Sequence, residues 1–164
     1  MEHQADMSEL QQKLYALRAS GLKIDDLWHK VDTLAMSYAL QIAEKSDLQR
    51  TKCKIGAIIL DNQTLNILGW SAKGLFDHAE AQAIAMAGAK MKGRHCTLYT
   101  TLEPCVYRTV EGKPTCSSLI AQHPEIKRVV IKNLDSDDQK NFKQGLAFLR
   151  ANTDKQIDLI ECNT

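Results

Sequence analysis

Ile55-Gly56-Ala57-Ile58-Ile59-Leu60 is a continuous apolar run, closed by the turn formers Asp61-Asn62 and followed by a second extended segment from Thr64 to Trp70. A short unbroken apolar run bounded by turn residues reads as a buried strand, and the pair as a β-hairpin inside a sheet. On its N-terminal side Leu10, Leu14 and Leu17 share one helical face before Ser20-Gly21 breaks the pattern. Leu27, Val31, Leu34, Tyr38 and Ile42 then repeat the helical period behind Asp25-Asp26, an acidic pair suited to the positive end of a helix. On the C-terminal side the pattern predicts a helix over Ala79 to Met91, a strand over Thr97 to Thr101 and a helix opening near Cys116. A strand over Arg128 to Lys132, a helix around Phe142 to Arg150 and a last strand over Gln156 to Ile160 complete the chain. Strands alternating with helices imply an α/β protein: three α/β/α layers with a central mixed sheet of about five strands.

The chain has 164 residues, 44% hydrophobic and 25% charged, enough to bury a core and within the usual range of one domain. Residues 1–24 read as an N-terminal helical extension and residues 25–164 as the domain itself. Lys plus Arg (21) nearly balances Asp plus Glu (20), a net charge of +1. That balance lacks the one-signed field of a non-specific nucleic-acid or anionic-membrane binder. No apolar run approaches the ~20 residues of a membrane span, and the first ten residues are polar, so a cytoplasmic protein is expected. Five cysteines, an odd count, favour metal ligation or core packing over a disulfide framework. Cys53 and Cys96 read as small buried residues, and Cys162 near the terminus carries no argument. His3, His29, His95 and His123 have no partners at suggestive spacing and read as surface or satisfied core residues. Trp70 and Phe76 suit either the core or stacking on a flat ring, and Asp135, Asp137 and Asp138 read as a solvated turn.

The chemistry lies in His78-Ala79-Glu80, at a helix start, and in Pro104-Cys105 with Cys116 after a strand. One imidazole and two thiolates hold Zn²⁺ in a tetrahedron whose fourth position stays open, the ligand count of a catalytic rather than a structural site. Such an ion lowers the pKa of water from 15.7 towards ~7. Glu80, two residues from His78, is the expected proton shuttle, not a ligand.

His78-Ala79-Glu80 and Thr101-Leu102-Glu103-Pro104-Cys105 resemble the signature of the zinc-dependent cytidine/deoxycytidylate-type deaminases. The resemblance implies the cytidine-deaminase-like fold, hydrolytic removal of an exocyclic amine, and His78, Cys105 and Cys116 as zinc ligands with Glu80 catalytic. The usual second half of the signature is Cys-x-x-Cys, whereas ten residues, Val106 to Thr115, separate the cysteines here. That long loop is similar to the one in riboflavin-pathway deaminases, which act on a diaminopyrimidine bearing a phosphoribosylamino group. Ile55-Gly56, Gly69-Trp70, the run His78 to Ile84, Gly112-Lys113-Pro114 and Leu119-Ile120 extend the likeness over roughly residues 30 to 160.

From that resemblance a loop cation, Lys113 or Arg108, is expected at a substrate phosphate. The chain departs from the family where relatives carry Asn-Pro and reads Lys52-Cys53, and where a His follows the Gly-aromatic pair and reads Ser71. Lys52 and Ser71 are therefore expected among altered substrate contacts. A homodimer or homotetramer is expected from the same resemblance. The alternatives are a cytosine, cytidine or dCMP-type deaminase, a tRNA adenosine deaminase, and a zinc-bearing interaction module without turnover. Near-neutral charge and the long loop speak against the tRNA reading, and the retained Glu80 against the module.

Overall fold

The computed structural model describes residues 6–46, 53–74, 77–107, 112–135 and 141–160. Gly56–Asp61 forms strand β1, buried along its whole length because it is paired at both edges and covered on both faces. Its hairpin partner β2 is Ile67–Ala72, three residues later than expected at the start. The Asp61 side chain accepts the amides of Gln63 (2.8 Å) and Thr64 (3.3 Å), so the turn is built around that carboxylate and holds Thr64 out of the strand. On the other side of β1 runs β3, Cys96–Leu102, antiparallel to it. Strands β4, Ile126–Asn133, and β5, Gln156–Leu159, follow in parallel, giving the order β2-β1-β3-β4-β5. This is the mixed five-stranded sheet expected.

Helices α1, Met7–Arg18, and α2, Ile24–Ala43, cover one face. Helices α3, Ala79–Ala87, α4, Cys116–Gln122, and α5, Gln144–Asn152, cover the other. The period-2 alternation of strands divides the core accordingly. Ile58, Leu60, Tyr99 and Val130 pack with α1 and α2, while Ala57, Ile59, Leu98, Val129 and Ile131 pack with α3 to α5. Helix α3 ends earlier than its apolar period predicts. Gly88 turns with φ 43°, and Gly88–Met91 continues as a 3-10 turn. Both helical layers come unusually close to the hairpin: a Cβ on Gly56 would lie 2.1 Å from the Ala39 carbonyl oxygen, and one on Gly69 2.2 Å from that of Ala83. The second contact seats α3, and with it the site, directly on β2.

Helix α1 is tied to the sheet rather than free of it. Leu10 and Leu14 are fully buried, and the Gln11 amide bonds the Leu65 carbonyl (2.9 Å) and the Ile67 amide (2.7 Å) beside the start of edge strand β2. Helix α2 is pinned by Asp32, whose carboxylate takes the Tyr99 hydroxyl (2.6 Å) and a bidentate pair from Arg128 (2.7 and 2.7 Å). Burial first, then the neighbouring Asp32 charge, pushes the Tyr99 phenol far up, so it stays a donor. No helix among the described residues is long and apolar enough to cross a membrane.

Candidate metal centre and active site

The antiparallel β1–β3 pair and the parallel β3–β4 pair bring the C-terminal end of β3 to the starts of α3 and α4. His78 is the N-cap of α3, with an extended backbone and a side chain that does not cap the helix. Cys105 lies just beyond β3, and Cys116 is the first residue of α4, behind the Thr115 cap whose side chain accepts the Ser118 amide. The Cys105 carbonyl takes the Ser117 amide (3.0 Å), and its Sγ accepts the Cys116 amide (3.3 Å). The turn after β3 is thereby fastened to α4.

His78 Nδ1 lies 3.4 Å from Cys105 Sγ and 3.3 Å from Cys116 Sγ, and the three donor atoms all fall within 4.8 Å of one another. Tetrahedral zinc with its usual bonds to sulfur and nitrogen separates those atoms by about 3.6 Å. The donor set and its spacing fit the ion. Among the described residues this is the only group of three or more such side chains that close together.

Glu80, in the first turn of α3, is 2% exposed. Its Oε1 accepts the Thr100 hydroxyl (3.0 Å), and its Oε2 lies 3.6 Å from Cys116 Sγ. Thr100 stands level with Ala57 and Ile131, on the sheet face that α3 covers. Burial pushes the Glu80 carboxyl up, which suits a group that must carry a proton at neutral pH. Hydrogen bonding from Cys116, then from His78, holds the Cys105 thiol far below its ordinary value despite burial, as a ligand thiolate requires.

The remaining expected contacts spread around this centre. Lys113 ion-pairs with Asp77 (3.0 Å), the residue before His78. Ser71 bonds the Gln82 side chain (3.0 Å), whose Nε2 donates to the Asp77 carbonyl (2.8 Å), so Ser71 braces the His78 turn. Trp70 packs in the α1–α2 layer with Lys45 Nζ 5.7 Å from its ring, which is the core reading. Cys96 is fully buried, and burial pushes its thiol up to about 11. Cys53 is half-buried against the α3-side core. Lys52, Phe76, Arg108, Asp137, Asp138, His3 and Cys162 lie outside the described residues.

Sequence reasoning missed Thr100, Asn141 and the role of Glu103. Glu103 was visible inside Thr101 to Cys105 but only as part of a motif. Its carboxylate is in fact buried and accepts the amides of Lys143, Leu146 and Asp135. A groove of about 1060 Å³ among the described residues lies elsewhere. It opens at the opposite end of the sheet, between Asp61, Thr97 and Gln156, and its Arg94 and Arg128 are already paired with Asp61, Asp32 and Asp158.

Comparison with known proteins agrees with this geometry. Residues 29–133 match the family described as the cytidine and deoxycytidylate deaminase zinc-binding region. The riboflavin biosynthesis protein RibD of Aquifex aeolicus is 35% identical over 136 residues, which is 81% of this chain and 36% of that protein. The diaminohydroxyphosphoribosylamino-pyrimidine deaminase of Buchnera aphidicola from Schizaphis graminum is 35% identical over 121 residues, 73% of this chain and 78% of that one. Among solved structures, the diaminohydroxyphosphoribosylaminopyrimidine deaminase/reductase of Thermotoga maritima superposes with a TM-score of 0.67 at 25% identity, covering 80% of this chain and 37% of its own. The chain thus spans about a third of the length of the Aquifex and Thermotoga relatives. The matched span covers more than half of the chain and holds the His78, Cys105 and Cys116 triad, and this chain belongs to the cytidine and deoxycytidylate deaminase zinc-binding family.

Proposed function

We propose that this chain is a zinc-dependent hydrolytic deaminase of a riboflavin-pathway-like diaminopyrimidine carrying a phosphoribosylamino group. The observation that carries the reading is the buried Glu80 carboxylate beside the His78, Cys105 and Cys116 triad, 3.6 Å from Cys116 Sγ and aimed by Thr100. The names and identities of the Aquifex and Buchnera relatives support the substrate class.

His78, Cys105 and Cys116 would hold zinc, which when bound supplies a Lewis acid that makes water a nucleophile at neutral pH. Glu80 accepts the proton that the attacking water gives up and passes it to a ring nitrogen. The water oxygen bonds to the ring carbon as a hydroxyl; Glu80 then takes that hydroxyl's proton and hands it to the amine, the carbon–nitrogen bond breaks, and ammonia leaves while the ring keeps a carbonyl. Burial of Glu80 keeps its proton from exchanging freely with bulk water between the steps.

Lys113, ion-paired next to His78, is the proposed phosphate contact, with Arg108, Lys52 and Ser71 as further candidates from the family likeness. A cytoplasmic homodimer or homotetramer, without nucleic acid as substrate, belongs to the same proposal.

The test is ammonia release by the zinc-loaded protein over a panel: the phosphoribosylamino-diaminopyrimidine, cytosine, cytidine, CMP, dCMP and a tRNA anticodon stem-loop. Turnover of the first compound above the others is expected. Turnover of a cytosine compound or the stem-loop in its place would replace the substrate assignment. Silence on all six with zinc bound would leave a non-catalytic zinc module.

A further inference from the structure

We infer that Glu103 and Asn141 form a reciprocal latch that positions Cys105, making the segment before α5 part of the metal centre's support. The inference rests on the reading that His78, Cys105 and Cys116 hold a metal. Two buried side chains cross between the same pair of segments in opposite directions. From the Cys105 turn, Glu103 reaches into the start of α5, where its oxygens accept the amides of Lys143 (2.8 Å) and Leu146 (2.9 Å), and it also accepts the amide of Asp135 (3.2 Å), just after β4. From the α5 side, Asn141 reaches back, and its Oδ1 accepts the amides of Val106 (2.8 Å) and Tyr107 (3.0 Å). Glu103 is 2% exposed and Asn141 5%.

The two contacts bracket Cys105 in the chain, at positions 103 and 106–107. On its α4 side Cys105 is held by its carbonyl and its sulfur, through Ser117 and Cys116. On its α5 side the latch supplies the restraint. The α5 side is shaped for that duty. Lys143 adopts φ 61°, a left-handed conformation unusual for a side-chain-bearing residue, and its amide is one that Glu103 binds. Gly145 leaves no room for a side chain, since a Cβ there would lie 2.0 Å from the Pro104 carbonyl oxygen. The helix start thus abuts the peptide that leads into the ligand, and the Glu103 anion sits at the positive end of α5. Groups behind a ligand that set its orientation govern metal affinity as the ligands do. Glu103 and Asn141 are positioning residues, acting through Cys105 and not on the substrate.

The experiment uses the full chain loaded with Co²⁺, whose d–d absorption reports tetrahedral thiolate ligation, and follows metal loss to a competing chelator. Asn141→Leu, which keeps the size and removes the acceptor, is expected to change the band and speed metal loss by about tenfold, while Asn141→Asp, which keeps the acceptor, stays near the wild type. Glu103→Gln, which cannot offer acceptors at both positions, is expected to move both readouts in the same direction and serves if Asn141→Leu does not fold. An unchanged band with release within about twofold of wild type would overturn the inference whatever happened to thermal stability, because a structural role alone lowers only the latter. If the wild type itself shows no tetrahedral cobalt band, the metal reading falls and takes the latch with it; a normal wild-type band with insensitive variants sinks the latch alone.

Discussion

Thr100 on β3 donates its hydroxyl to Oε1 of Glu80 on α3 across 3.0 Å, and the Thr100 Oγ1 also lies 2.9 Å from the Leu102 carbonyl. One hydroxyl proton serves one acceptor at a time. When Thr100 turns to Leu102, the contact with Glu80 needs the proton to come from the carboxyl group. Thr100 therefore accommodates Glu80 in both of its protonation states. Thr100→Val keeps the shape and removes this partner, and is expected to lower kcat by about tenfold, a loss of about 1.4 kcal/mol. KM should hardly move. Steady-state kinetics on protein of verified zinc content checks the split.

Under the proposed mechanism, substitutions at Glu80 and His78 separate chemistry from metal binding. Glu80→Ala is expected to lower kcat by at least about a hundredfold, the scale of a lost general acid–base group, with zinc content unchanged. His78→Ala removes a ligand and should lose the metal itself. Elemental analysis beside activity distinguishes the two outcomes, and a Glu80→Ala protein with full turnover would remove Glu80 from the mechanism.

Lys113, ion-paired with Asp77, tests the phosphate assignment. A charge-assisted bond to phosphate is worth about 1.5–3 kcal/mol, so Lys113→Ala should raise KM for the phosphorylated substrate by roughly ten- to a hundredfold. The dephosphorylated compound should be nearly indifferent to the change. Equal losses on both compounds would deny Lys113 the phosphate.

The Asp32 carboxylate, 7% exposed, joins α2 to Tyr99 on β3 and Arg128 on β4. Asp32→Ala leaves the half-buried Arg128 guanidinium with Asp158 as its acidic partner and removes the acceptor of the buried Tyr99 hydroxyl. Loss of about 2–3 kcal/mol is expected, since removing one side of a largely buried pair strands the other. The shift in urea midpoint at constant slope measures it.

Asp61 gives an acid-dependent term of known sign. Burial pushes its carboxyl up, but the amides of Gln63 and Thr64 and the Arg94 guanidinium outweigh burial, and the net direction is down. A carboxyl with a depressed folded-state pKa contributes stability that is full above its unfolded value of about 3.9 and is lost as pH falls through the folded value. Asp61→Asn should therefore destabilise at pH 7 and flatten the acid limb of the stability profile, with the two proteins converging at low pH. Chemical denaturation across the acid range reads out both features.

Much of this was legible in residue order. The apolar run ending at Leu60 required an interior strand, because only a segment covered on both faces has no use for polar alternation. His78, Glu80, Cys105 and Cys116 point by residue type to a metal and a proton carrier, since few combinations of side chains suit an open zinc site, and the fold brings His78, Cys105 and Cys116 together. Boundaries such as the end of α3 at Ala87 were less legible, because the apolar period runs on through Gly88 while the backbone does not.

What needed the folded chain was everything that depends on register and crossover. Thr100 reaches Glu80 only because β3 pairs with β1 and β4 so as to turn that hydroxyl towards α3. Asn141 is an ordinary polar residue until the α5 segment lies against the Cys105 turn, 34 and 35 positions away in the chain from the amides it binds. Glu103 looks like a motif letter until three backbone amides converge on it. Side-chain chemistry is local and can be read from composition and spacing. Which groups hold that chemistry in place is set by long-range packing, and no local pattern encodes it.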